Sequence, residues 1–157
     1  MTSRIEAVFR LTPSQGGMLF HSVSGPGSGD YVVQMVLATT GSIDAQKERV
    51  SRFQLVRRHS ALRTAFVWKG QAQPLQVVGR EAIPEITVED LSDSGDMQEK
   101  RFTDWLAKDR ARGFDLSAAH LIRVTRFRIG PARHRVVVTI HHIAIDGWSV
   151  PILLREW

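Results

Sequence analysis

Apolar residues recur along this chain in two periods. Short β-branched or alternating runs predict strands, and spacings of three and four predict helices. Strands are expected at Arg4 to Leu11, Tyr31 to Leu37, Leu62 to Trp68 and Leu75 to Val78, with a weaker one at Glu85 to Leu91. His120 to Ile129 and Arg133 to Ile140 predict a hairpin around Gly130 and Pro131. Thr12 and Pro13 form a helix-start signal, a capping hydroxyl followed by a residue suited to the first turn. They predict a helix over Ser14 to Ser22, with Gly16 and Gly17 implying close packing of its first turn. Asp44 caps a second helix reaching about His59, on which Val50, Phe53 and Val56 mark the expected buried face. A third runs from Met97 to about Arg112, with Phe102, Trp105 and Leu106 as its buried stripe and Gly113 as its stop. A fourth starts near Ser149 and continues to Trp157 without a stop signal, so the chain reads as cut inside a larger protein.

Composition narrows the class. The chain has 157 residues, enough for one domain with a core, and 43% hydrophobic and 24% charged residues are ordinary for a globular protein. It has no cysteine, which excludes disulfides and thiolate chemistry. No apolar run approaches a membrane span, and the start of the chain lacks the apolar core of a signal peptide, so a cytoplasmic protein is expected. The formal charge of +5 suits an acidic partner. It does not point to nucleic acid, because the arginines are scattered among apolar positions and no basic tract alternates with aromatics.

The candidate chemistry concentrates in His141-His142-Ile143-Ala144-Ile145-Asp146-Gly147-Trp148-Ser149, at the end of a predicted strand. Neighbouring side chains on a strand point to opposite faces, so one histidine can work in a cleft while the other packs beneath it. The competing reading is two structural histidines at a strand end. A metal site is disfavoured, since adjacent ligands diverge and no further histidine lies at ligand spacing. Asp146 either orients His142 or pins the turn through an arginine. Gly147 suits a sharp turn or the close approach of a ligand, and Trp148 suits the core or a cleft wall. Arg57, Arg58 and His59 read as a basic helix end. Arg63 is not covered by that reading. Drawn inward it would need a carboxylate, for which Asp146 is a candidate. Around Asp109 to Leu116, a helix end and glycine stop leave Phe114 and Leu116 to anchor the next segment.

Three runs, in this order, carry a family resemblance. Leu11 to Ser22 (LTPSQGGMLFHS), Arg58 to Phe66 (RHSALRTAF) and His141 to Ser149 (HHIAIDGWS, an HHxxxDG motif) resemble the first, second and core motifs of the condensation domains of nonribosomal peptide synthetases. Departures are small: Gly16 stands where a charged residue is common, and Ala119-His120 replaces a proline-containing step. The resemblance implies an α/β (α+β, two-layer) fold, a chloramphenicol acetyltransferase-like lobe with a mixed β-sheet covered by helices. Residues 1–157 would be the N-terminal lobe, ending inside the helix after HHxxxDG, and the C-terminal lobe that completes a tunnel would be absent. The implied activity joins a thioester donor to an aminoacyl acceptor, both carried on the 4′-phosphopantetheine of carrier domains, with no cofactor held by the lobe itself. His142 would act as general base or position the amine, with His141 structural. Asp146 would pair with Arg63, Gly147 would leave room for the acceptor, and Trp148 and Ser149 are tunnel candidates. Implied partners are donor and acceptor peptidyl carrier domains, the C-terminal lobe and an adenylation domain, with no nucleic acid or membrane. The isolated lobe is expected to be inactive and to self-associate through the face its missing half would cover. The alternatives are a stand-alone HHxxxDG acyltransferase acting on an alcohol or amine, and a non-catalytic carrier-binding lobe.

Overall fold

A computed structural model describes residues 4–83 and 85–157. The described residues form seven strands and four α-helices in the order β1 (Ile5–Arg10), α1 (Pro13–Ser24), β2 (Val32–Thr40), α2 (Ala45–Arg58), β3 (Thr64–Val67), β4 (Leu75–Gly79), β5 (Glu85–Asp90), α3 (Gln98–Arg112), β6 (Ile122–Gly130), β7 (Arg133–His141) and α4 (Ser149–Glu156). The start signals work as the chemistry requires. Thr12 caps α1 in a reciprocal box with Gln15, and the Asp44 carboxylate accepts from the amides of Gln46 and Lys47 at the start of α2. Gly113 ends α3 at φ 61°, a conformation that a β-carbon disfavours.

The strands form two sheets. β1, β4 and β3 make an antiparallel sheet in the order β1-β4-β3. The larger sheet runs β2-β7-β6-β5, and only its β5-β6 pair is parallel. That pair is joined through α3, the long crossover that parallel strands need. Alternation along β6 and β7 sends Ile122, Val124, Val136, Val138 and Ile140 to one face, against Leu55 and Val56 of α2 and Leu153 of α4. Phe127 and Val137 face the other way, onto Phe102 of α3. The mixed sheet covered by helices is therefore present, and helices on both faces add a third layer to the two expected. The cause lies in β6 and β7: both of their faces are buried, one by aliphatic residues and the other by Phe127 and Val137 together with the polar Arg123, Thr125 and Thr139.

Three local expectations are corrected. Residues Leu62 and Arg63 do not open a strand; they close a short 3-10 turn, Ser60–Arg63, that precedes β3. On α2 the buried face is Arg52, Leu55 and Val56, while Val50 and Phe53 remain 44% and 46% exposed. The spacing of apolar residues misses this because Arg52 lies inside, paired with Glu48 and stacked under Trp157, and a charged residue does not register in a hydrophobic count. Gly16 and Gly17 do not mark close packing, since a β-carbon at either would meet nothing within 4 Å.

Candidate active site at the end of β7

Strand β7 delivers the two histidines to opposite sides. His141, 2% exposed, follows the parity of Val137 and Thr139, whereas His142 follows that of Val138 and Ile140 and is half-buried. Two backbone bonds fix their height. The His141 amide donates to the Leu121 carbonyl at 3.1 Å, and the His142 amide donates to the Tyr31 carbonyl at 2.7 Å. Tyr31 makes that carbonyl available from φ 59°, the one positive φ among the described non-glycine residues. A conformation that costs of order 1 kcal/mol at such a residue persists where surrounding contacts over-determine it.

After His142 the chain turns sharply. The Ala144 amide donates to the His141 carbonyl at 3.0 Å, and the His142 ring closes the turn with Nδ1 2.7 Å from the Ile145 carbonyl. A carbonyl can only accept, so Nδ1 carries a proton. In the neutral ring Nε2 then holds the lone pair. The ring borders a cleft of about 50 Å³ formed with Val33, Ile145, Asp146, Gly147 and Val150. Beneath it, the His141 Nδ1 accepts from the Ile143 amide at 3.2 Å and Nε2 lies 3.2 Å from the Ser22 hydroxyl. Burial, with the neighbouring His142 as a smaller cause, pushes the His141 pKa down to about 4, so that ring is neutral near pH 7.

The structure separates two residues expected to pair. Arg63 is 5% exposed and bonds inward to the carbonyls of Val56 (3.1 Å) and Gly79, and its charge meets the Glu6 carboxylate at 2.8 Å. Asp146 is exposed and instead accepts from the Ser149 amide at 2.9 Å and hydroxyl at 2.8 Å, which hold its pKa below the usual carboxylate range. The reason is local. The 3-10 turn aims Arg63 at the end of β4, while Asp146 sits three residues before the amide it serves, at the entry to α4. Glu6, the actual partner, carries no sequence signal beyond being a carboxylate at the edge of a strand.

Unequal effects on stability are expected. Arg63→Ala takes the side-chain donor from the buried Val56 carbonyl, at about 1–3 kcal/mol, and should lower unfolding free energy by at least about that much. Asp146→Ala should cost far less. Urea denaturation of both variants checks this, and equal losses would contradict the separation.

Other expected roles are also redistributed. Trp148 is 87% exposed and lies neither in the core nor on the wall of the His142 cleft, because the turn aims it outward just before α4. Ser149 is engaged by Asp146. Gly147 is not among the residues at positive φ, but a β-carbon there would meet no heavy atom within 4 Å, so its surroundings are open. Phe114 does anchor the segment after α3: it packs against Leu19, Phe66, Leu116, Leu121 and Ile143, and its ring meets His141 edge-on at 6.2 Å. Asp109, expected only to mark a helix end, is 6% exposed and joins Arg123, Thr139 and Gln34. No group of three or more carboxylate or histidine side chains among the described residues is arranged to hold a metal ion. No helix among them is long and apolar enough to cross a membrane.

Known proteins resemble this chain over nearly its whole length. A family model described as "Condensation domain" matches residues 5–157. The chain is 40% identical over 154 residues to a linear gramicidin synthase of Brevibacillus parabrevis, covering 98% of this chain and 2% of that one. It is 39% identical over 153 residues to a mycosubtilin synthase of Bacillus subtilis, covering 97% and 6%. Among solved structures, the starter condensation domain of rhizomide synthetase superposes with a TM-score of 0.85 at 20% identity, over 96% of this chain and 38% of that one. A four-domain nonribosomal peptide synthetase bound to AMP and glycine superposes at 0.86 and 18% identity, over 97% and 11%. The chain thus spans a small part of each of these proteins.

Proposed function

Because this chain belongs to the condensation-domain family of nonribosomal peptide synthetases, we propose that it supplies the histidine-bearing lobe of a domain that makes amide bonds between carrier-bound substrates. The observation that carries the reading is the tautomer of His142. Its Nδ1–H is committed to the Ile145 carbonyl, which leaves an Nε2 lone pair at the cleft. An acceptor amine placed there attacks the donor thioester carbonyl. A C–N bond forms, the nitrogen's proton passes to Nε2, the C–S bond breaks, and the proton leaves with the phosphopantetheine sulfur. The bond to Ile145 holds the ring in place and steadies the imidazolium formed between the two transfers, since its Nδ1–H keeps the carbonyl acceptor. The histidine that positions the amine and the histidine that takes its proton are then one group.

His141 is the support beneath it, and Asp146 shapes the entry to α4. Gly147 leaves room for the acceptor. A cleft of about 50 Å³ cannot enclose two acyl carriers. The second lobe therefore completes the tunnel, and it covers the exposed indole of Trp148. Donor and acceptor carrier domains deliver the substrates, an adenylation domain loads them in the cytoplasm, and the lobe binds no cofactor of its own. The intact motif and the free Nε2 favour this over a scaffold that only docks carriers.

Loaded donor and acceptor carrier domains test the proposal. A domain completed by its second lobe should form the amide, and residues 1–157 alone should not. Product from the isolated lobe would overturn the need for a partner lobe. A completed domain that transfers the acyl group to a small alcohol or amine but never to a carrier-bound amine would overturn the substrate class.

A further inference from the structure

We propose that helix α1 is a positioning element for His142, acting from Gln15 through the Ile143 carbonyl and from Ser22 through the buried ring of His141. The two residues are seven apart, two helical turns, and so share a face of α1. That face lies on the turn after β7. Gln15, whose oxygen closes the cap at Thr12, donates from Nε2 to the Ile143 carbonyl at 3.3 Å. Ser22 places its hydroxyl 3.2 Å from the His141 Nε2.

His141 converts those contacts into a constraint. Its Nδ1 accepts from the Ile143 amide, which requires that nitrogen to be unprotonated. The neutral ring then carries its proton on Nε2 and donates it to the Ser22 hydroxyl. Were the proton on Nδ1, it would face the Ile143 N–H donor to donor, and the turn would open. The same turn sets the Ile145 carbonyl against the His142 Nδ1, and that bond determines which nitrogen of His142 is free. The Ile143 amide thus fixes the tautomer of His141, Ser22 accepts the proton which that tautomer carries on Nε2, and the turn they hold fixes the opposite tautomer of His142. Tyr31 and Phe114 limit the His141 ring from other sides, with centroids 6.3 and 6.2 Å away. Burial keeps that ring neutral down to about pH 4, so its own protonation does not interrupt the link across the physiological range. The positioning rests on geometry alone; only its use in catalysis rests on the function proposed above.

Long-range proton–nitrogen NMR of the histidine-labelled 157-residue chain tests it. In the wild-type chain His141 should show an Nε2–H ring and His142 an Nδ1–H ring. Ser22→Ala should turn the His142 signals into those of a tautomer mixture, and Ser22→Thr, which restores a hydroxyl, should recover the single form. In a completed domain Ser22→Ala should lower kcat about tenfold, the low end for partners that orient a working histidine, with KM within about twofold. A folded Ser22→Ala chain whose His142 stays wholly Nδ1–H would overturn the proposal, as would a threonine variant that recovers nothing. If the alanine variant does not fold, Ser22→Cys, with a weaker acceptor of similar size, must show the same mixing, and a single His142 tautomer there sinks the idea. A completed wild-type domain that is inactive while the chain shows both expected tautomers would strike the functional reading and leave the positioning intact.

Discussion

His142→Ala in a completed domain should lower amide formation by about 10²- to 10⁴-fold, the range that a positioned general base contributes. It should leave carrier binding and the fold nearly unchanged. The size of the first effect follows from the role proposed for Nε2, the nitrogen that the Nδ1 bond leaves unprotonated in the neutral ring of this cleft-lining residue. The smallness of the second follows from what the ring does in the fold: it is half-buried, and it bonds to one carbonyl of its own turn. Backbone groups hold the strand end independently of the side chain, through the Tyr31 and Leu121 carbonyls. Single-turnover assays with loaded carriers, paired with carrier-binding titrations, separate the two quantities. Undiminished product formation would remove His142 from the chemistry and favour a lobe that only docks carriers. Loss of binding in step with loss of product would show that the ring shapes a docking surface instead.

Asp109→Ala should destabilise the chain by about 3–5 kcal/mol, the cost of leaving a buried charge without its partner. Asp109 and Arg123 are 6% and 5% exposed, and the Asp109 carboxylate meets Arg123 Nε at 2.9 Å, the Thr139 hydroxyl at 2.6 Å and the Gln34 amide at 2.8 Å. It thereby ties α3 to β6, β7 and β2 at once. Burial already pushes the Arg123 guanidinium below its ordinary pKa, with Asp109 as the main opposing group, so removing the carboxylate leaves that burial largely uncompensated. Asp109→Asn keeps an acceptor and should cost less than Asp109→Ala. Urea denaturation at neutral pH measures both. An alanine variant within about 1 kcal/mol of wild type, the ordinary cost of a substitution without a special mechanism, would show the pair to be replaceable.

The elements are largely legible in the sequence because their signals are local. Thr12-Pro13, Asp44 and Gly113 act on their own neighbouring backbone, and helix boundaries fall within a few residues of them. Strand parity correctly divides His141 from His142, because alternation is a property of the strand itself. Features that depend on a partner distant in sequence are not legible in this way. Val50 and Phe53 match a helical period but face outward, since the interior takes the whole side chain of Arg52, its charge paired with Glu48. Arg63 needs a carboxylate and has one, but it is Glu6 and not Asp146. By residue type Trp148 suits the core or a wall, and the turn before α4 places it in solvent.

By itself, then, the order of residues determined most of the strands and helices, the family, and that the two histidines face opposite sides of the strand. Each of these follows from periodicity, capping chemistry or an ordered set of motifs, all carried by short stretches of chain. Tertiary structure alone decided the partners: Glu6 for Arg63, Arg123 for Asp109, Ser22 for His141, and the Ile145 carbonyl for His142. Most of those pairs join segments far apart in sequence, and hydrogen bonds form by distance and direction in space. The protonation of the His141 and His142 nitrogens, on which the proposed chemistry depends, is a consequence of those contacts and has no one-dimensional signature.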